Sequence, residues 1–215
     1  MLGASSPPRP PVALFPAALR WLRAAREWLP AGRALPHDAW QQRHRAVLAL
    51  LGLHAAVIAA SGWYVTGSLL HSLAEAGVIA AFAVAAALPL ARPRTRATLA
   101  SVGLLACSAL LVHLSGGLIE MHFHFFVMLG IIALYQDWLP FLVAIGYVVL
   151  HHGFVGVVQP QVVYNHPAAW SNPWLWAGIH GAFVLAASLG TLVAWRLIEQ
   201  QALHDPLTNL PNRTL

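Results

Sequence analysis

Long apolar runs alternate with short polar punctuation along this chain. Six stretches are close to the roughly 20 mostly apolar residues a bilayer-spanning helix requires: about 46–65, 69–91, 97–115, 118–136, 140–158 and 174–196. The connections are brief except for "QPQVVYNHPAAWSNP" before the last run. Ahead of the first run, "AALRWLRAAREWLPAGR" places Ala18, Trp21, Leu22, Ala25, Trp28 and Leu29 at helical spacing, with Arg20, Arg23, Arg26 and Glu27 on the other side. That pattern predicts an amphipathic helix lying on a membrane surface. The Pro-rich "MLGASSPPRPPVALFP" before it shows no such periodicity and is expected to be disordered. The expected fold class is all-α: a polytopic six-helix transmembrane bundle with an N-terminal interfacial helix and a C-terminal signalling helix. The expected divisions are a cytoplasmic N-terminal segment over 1–45, a six-span domain over 46–196, and a linker helix with the opening of an output domain over 197–215.

Composition agrees. The chain is 59% hydrophobic and 9% charged, whereas soluble domains carry about 25% charged residues. The cations are all arginine, and they orient the bundle. Arg20 to Arg45 precede the first run, "RPRTR" (92–96) separates the second from the third, and Arg196 follows the sixth. The positive-inside rule makes all three places cytoplasmic, so both termini are expected inside a bacterial inner membrane. Trp63, Trp170 and Trp174 then fall near the outer boundary, and Trp40, Trp138 and Trp195 near the inner one. The positive net charge is explained by topology and implies no nucleic-acid partner. A single cysteine, Cys107, excludes an internal disulfide framework.

Twelve histidines are the anomaly. At a helical rise of about 1.5 Å per residue, His124, His151, His152 and His180 each lie about 9–10 Å from the outer end of their run. His54 falls near mid-membrane, and His71 and His113 near the outer mouths of the second and third runs. Every run contributes a histidine to the outer half and none is expected in the inner half. Polar groups at such depth are costly and mark functional sites. Neutral imidazole is a metal ligand, and bundles build metal sites from facing helices. His124, His151, His152 and His180 are expected to share one site, with His54, His122 and His113 completing it or forming a second, and His71 is a further candidate ligand. His122 and His124 stand about 200° apart around a helix, so a regular helix cannot aim both at one ion. Glu75, four residues after His71, and Glu120, four before His124, share their faces and are expected as ligands or as partners orienting the imidazoles. The cofactor reading is iron, copper or zinc, in a site with room for two ions. Haem b, held by one His from each of two helices, is the alternative. The loop residue His166 is expected to be solvated.

After Trp195 the chain reads "RLIEQQALHDPLTNLPNRTL". "HDPLTNLPNR" resembles the opening of the GGDEF domain of diguanylate cyclases: Asp205, Leu207, Thr208, Leu210, Pro211, Asn212 and Arg213 match, and Asn209 replaces the usual glycine. The resemblance implies a full-length protein that makes cyclic di-GMP, with residues 1–215 as a non-enzymatic input. The nine residues between Trp195 and Asp205 contain no Gly or Pro, so the last helix can run on, and Leu197, Ile198, Gln201 and Leu203 form a candidate homodimer stalk. The histidine-rich region is also similar to sensor regions placed ahead of GGDEF or chemoreceptor outputs. The expected function is therefore a membrane sensor for a small ligand, ion or redox signal arriving from the periplasmic side. The alternatives are a cofactor-free anchor that dimerises the output, and a membrane redox enzyme or electron carrier.

Overall fold

The computed structural model describes Arg20, residues 26–32 and residues 35–203. Most of the amphipathic segment, and the whole of "HDPLTNLPNR", lie outside the described residues.

Among the described residues the architecture is all-helical. Five helices are long and apolar enough to cross a membrane: α1 (His37–Thr66), α2 (Leu69–Ala87), α3 (Pro93–Leu114), α5 (Trp138–Val158) and α8 (Pro173–Leu203, its apolar span ending at Ala202). Where a fourth span is expected, α4 (Ile119–Ala133) is apolar but only 15 residues long. Two short turns of helix, α6 (Pro160–Val163) and α7 (Pro167–Ser171), fill the long connection before α8.

Local sequence sets the boundaries. Gly67 ends α1 in the left-handed conformation, and Ser68 caps α2 by accepting from the His71 backbone N–H, the role for which Gly and Ser are suited. Asp137 caps α5 through Leu139 N. α1 begins nine residues before the apolar run does, carried by Trp40, His44 and Val47, which are buried. α5 is interrupted by a π turn over His151–Val155, a local widening of the helix that recurs at functional sites.

α3 is the central element, packing against α1, α2, α4 and α5. Its sequence explains why. Ala97, Ala100, Ser101, Gly103, Ala106, Cys107 and Ser108 are all buried, and small side chains let helices approach closely where water supplies no driving force between them. At Gly103 an added Cβ would stand 2.9 Å from Phe82 Cβ and 3.0 Å from Leu51 Cδ2. Large apolar side chains such as Leu70, Phe154 and Phe183 face outward on the other helices, as lipid contact requires.

The two ends of the bundle differ. The arginine end holds Arg92–Arg96, Asp137 and Glu199. The opposite, histidine end gathers the π turn, the α1–α2 turn and the loop with α6 and α7.

Candidate metal centre

The histidines sort into three groups. In the first, His122 from α4, His152 from the π turn of α5 and His180 from α8 bring one ligand nitrogen each to within 4.8 Å of one another. His122 and His152 are buried and His180 is half-buried. Each ring is fixed the same way: Nδ1 donates to the backbone carbonyl four residues earlier, Leu118 at 2.9 Å, Val148 at 2.8 Å and Trp176 at 2.8 Å. A neutral imidazole that donates from Nδ1 leaves Nε2 as a bare lone pair, the tautomer a metal needs. His122 Nε2 is buried with no hydrogen-bond partner.

The spacing of the rings is informative. Their centroids are 5.2, 5.1 and 5.0 Å apart. With a metal–nitrogen bond of about 2.0 Å, an imidazole centroid sits about 3.1 Å from the ion, so these separations subtend roughly 110°, the tetrahedral angle. Two imidazoles on opposite sides of a haem iron would have centroids about 6 Å apart on the same bond length. Three protein ligands with a fourth position left open is the arrangement of a reactive or ligand-binding site rather than a sealed structural one.

Tyr164, on the loop between α6 and α7, covers the cluster. Its ring lies parallel to that of His122 at 6.5 Å and 5.7 Å from that of His180, and its hydroxyl donates to the His152 carbonyl. Burial pushes the phenol up to about 12, so it stays protonated at neutral pH and serves as a donor. Glycine makes this seat possible. Gly117, at φ +80°, would put a Cβ 2.7 Å from Tyr164 N, and Gly156 would put one 2.9 Å from the Tyr164 ring.

The second group is a chain of hydrogen bonds. His54 Nδ1 donates to Leu50 O at 2.7 Å, His54 Nε2 meets His124 Nε2 at 2.9 Å, and His124 Nδ1 meets Ser108 Oγ at 2.7 Å. In the neutral forms only one assignment satisfies all three: His124 carries its proton on Nε2, and Ser108 donates to Nδ1. The third group is His71, Glu75 and His113, at the mouth of α1, α2 and α3.

Several sequence expectations are redistributed. His124, His151, His152 and His180 do not form one set: His152 and His180 meet His122, and His124 pairs with His54. His122 and His124 do face different partners, as their angular separation requires. His151 neighbours the first group, its ring 5.3 Å from that of His152 and stacked on Tyr147 at 6.1 Å, but its ligand atoms do not converge there. Glu120 is exposed and makes no ion pair or hydrogen bond with His124 one turn along α4. His166 is half-buried with its ring 4.4 Å from that of Trp176, so it is packed rather than simply solvated.

The arginine end of the bundle also buries a histidine. His44 is buried within α1, bonded to Tyr135 Oη at 2.7 Å and Ala86 O at 3.0 Å. Hydropathy does not reveal it, because the apolar run begins after it. The part Tyr164 plays is equally hidden in the sequence, since it depends on a folded loop; the flanking Pro160 and Pro167 are the available sign of one.

No family model matches the chain, and no solved structure matches it. It is similar to the transducer protein Htr8 of Halobacterium salinarum, at 42% identity over 186 residues, covering 81% of this chain and 29% of that relative. The chain therefore spans less than a third of the length of the relative it matches. This match overturns the reading of the C-terminal residues as the start of a GGDEF domain, and with it the assignment to a diguanylate cyclase making cyclic di-GMP. A ten-residue motif is weak against an alignment of 186 residues, and what the long alignment resembles is a transducer.

Proposed function

We propose that residues 1–215 form the membrane-embedded sensory input of a transducer, reading its signal at a first-row transition metal held by His122, His152 and His180. The observation that carries this is the convergence of three imidazoles whose Nδ1 atoms are all tied to backbone carbonyls. Scattered helix-bridging histidines have no reason to free the same nitrogen toward one point. Zinc, iron and copper all accept imidazole. The ring spacing suits a bare ion better than haem, and an open fourth position admits a small ligand or redox partner. Signal transmission runs through α8, which supplies His180 and continues unbroken to Leu203. A ligand shifts such a bundle only by binding one of its arrangements more tightly.

In this reading α4 completes six spans, the histidine end faces the outer side, and both termini lie in the cytoplasm. Short α4 fits because Gly116, Gly117 and the α6–α7 loop seat its start below the outer surface. The extension of α8 through Leu197, Ile198 and Gln201 serves as the dimer contact. Similarity to a transducer, in place of a lone anchor or an electron carrier, favours the sensor.

Elemental analysis and an absorbance spectrum of the detergent-purified chain test the proposal. One equivalent of metal without a Soret band is expected from this site, lost in His152→Ala while the protein remains monodisperse. Full occupancy in His152→Ala and in His180→Ala would overturn it.

A further inference from the structure

We propose a second, independent metal site, formed by His71, Glu75 and His113 at the mouth of α1, α2 and α3, which takes a divalent transition ion directly from the surrounding solution. His71 Nε2 lies 3.2 Å from Glu75 Oε1, and His113 Nε2 lies 3.8 Å from the same oxygen. Ligands bound tetrahedrally at about 2.0–2.1 Å stand about 3.3–3.4 Å apart. The first distance therefore already fits, and the second needs only a small turn of an imidazole that is 44% exposed.

The carboxylate supplies the second observation. The Glu75 side chain is 10% exposed, and its Oε2 is buried without a partner. An ordinary His–Glu bridge at a helix surface leaves its spare oxygen to water, where it costs nothing. Here the spare oxygen is held off water by α1, where Gly62 would put a Cβ 3.2 Å from it and 3.1 Å from Ser72 Oγ. An unpaired, buried carboxylate oxygen costs free energy, and a cation bound at this carboxylate offsets that cost. Two imidazoles and one carboxylate, with the remaining positions facing solution, suit zinc, cobalt, nickel or iron rather than calcium or magnesium, which prefer oxygen.

The two sites differ in access. His122 and His152 are buried, whereas His71 and His113 are 45% and 44% exposed. The second site is therefore expected to exchange its ion readily and the first slowly. It also joins the first turns of α2 to the end of central α3, so its occupancy stiffens that mouth.

Titration of the chelator-stripped, detergent-purified chain with Co²⁺, followed by its visible bands and by Zn²⁺ competition, tests the proposal. The unsubstituted chain is expected to bind two equivalents. Glu75→Gln and His113→Ala should each bind one, with the loss confined to the ion that a chelator removes quickly. His152→Ala should also bind one, retaining the quickly removed ion. Because His71 and His113 are exposed, His71→Ala serves as a further variant that keeps the fold should Glu75→Gln disturb it. Two equivalents in both His71→Ala and His113→Ala overturn the second site and leave the first standing. Retention of two in His152→Ala, with loss in His113→Ala, overturns the first and leaves the second.

Discussion

His44 and His152 are equally buried, at 2% exposure each, yet they sit at opposite ends of the bundle and in opposite chemical states. At the arginine end both nitrogens of His44 are bonded, to Tyr135 and to Ala86. Its neighbours are similarly occupied. Arg96 donates to the Ala86 and Ala87 carbonyls and lies over the Trp40 ring. Arg94 pairs with Asp137 at 2.9 Å. Glu199 accepts from Ala31 N, Gly32 N and Trp195 Nε1, tying the chain before α1 to α8. At the histidine end the imidazoles of His122, His152 and His180 each use one nitrogen and turn the other toward a shared point. Buried polar groups are normally paired, so burial alone does not mark a histidine as functional. What separates the two ends is which nitrogens are left over and whether they converge.

Substitutions that exchange the consequences of the two regions would collapse this contrast. The largest effect is expected from His152→Ala against His44→Ala. The first should lose its metal equivalent altogether. The second should keep it while losing about 1–3 kcal/mol of stability, because the Tyr135 hydroxyl and Ala86 carbonyl lose a buried partner. Paired metal analysis and thermal unfolding in detergent would decide; metal loss in His44→Ala would dissolve the distinction.

Gly117→Ala should act next most strongly. The left-handed backbone there costs an L-residue about 1–3 kcal/mol, and the clash with Tyr164 N adds to it. Displacing Tyr164 should weaken metal binding at the histidine end roughly tenfold, in the range seen when groups supporting metal ligands are lost. An unchanged affinity by competition titration would show that Tyr164 does not cover the site.

Glu199→Gln probes the arginine end. It retains one acceptor but removes the charge that strengthens two backbone hydrogen bonds, so the Ala31 and Gly32 amides should exchange hydrogen several-fold faster while metal content holds. The smallest effect belongs to His166→Ala. Loss of its packing on Trp176 should cost under about 1 kcal/mol, as aromatic pairs contribute on that scale, with no change in bound metal.

Much of this is readable in the chain. Apolar runs of 19 or more residues declare helices in lipid whatever surrounds them, because an unsatisfied backbone cannot exist there. The start of α1 is not legible in the same way, because Trp40 and His44 are held by tertiary contacts and not by hydropathy. The fourth run reads as 19 residues by hydropathy but folds as 15, because Gly116 and Gly117 at positive φ and the turn at Leu134–Gln136 bring its ends into irregular backbone.

Residue order alone establishes that the chain is a helical membrane bundle, where its arginines concentrate, and that its histidines cluster toward one end. Those properties depend on residue type and on a fixed rise per residue. Packing settles that His122 and not His124 joins His152 and His180, that His124 pairs with His54, and that Glu75 bridges His71 to His113. Depth along a helix comes from counting residues. Direction around it comes from which neighbour each helix packs against and from the π turn at His151–Val155, and neither is encoded in any single run.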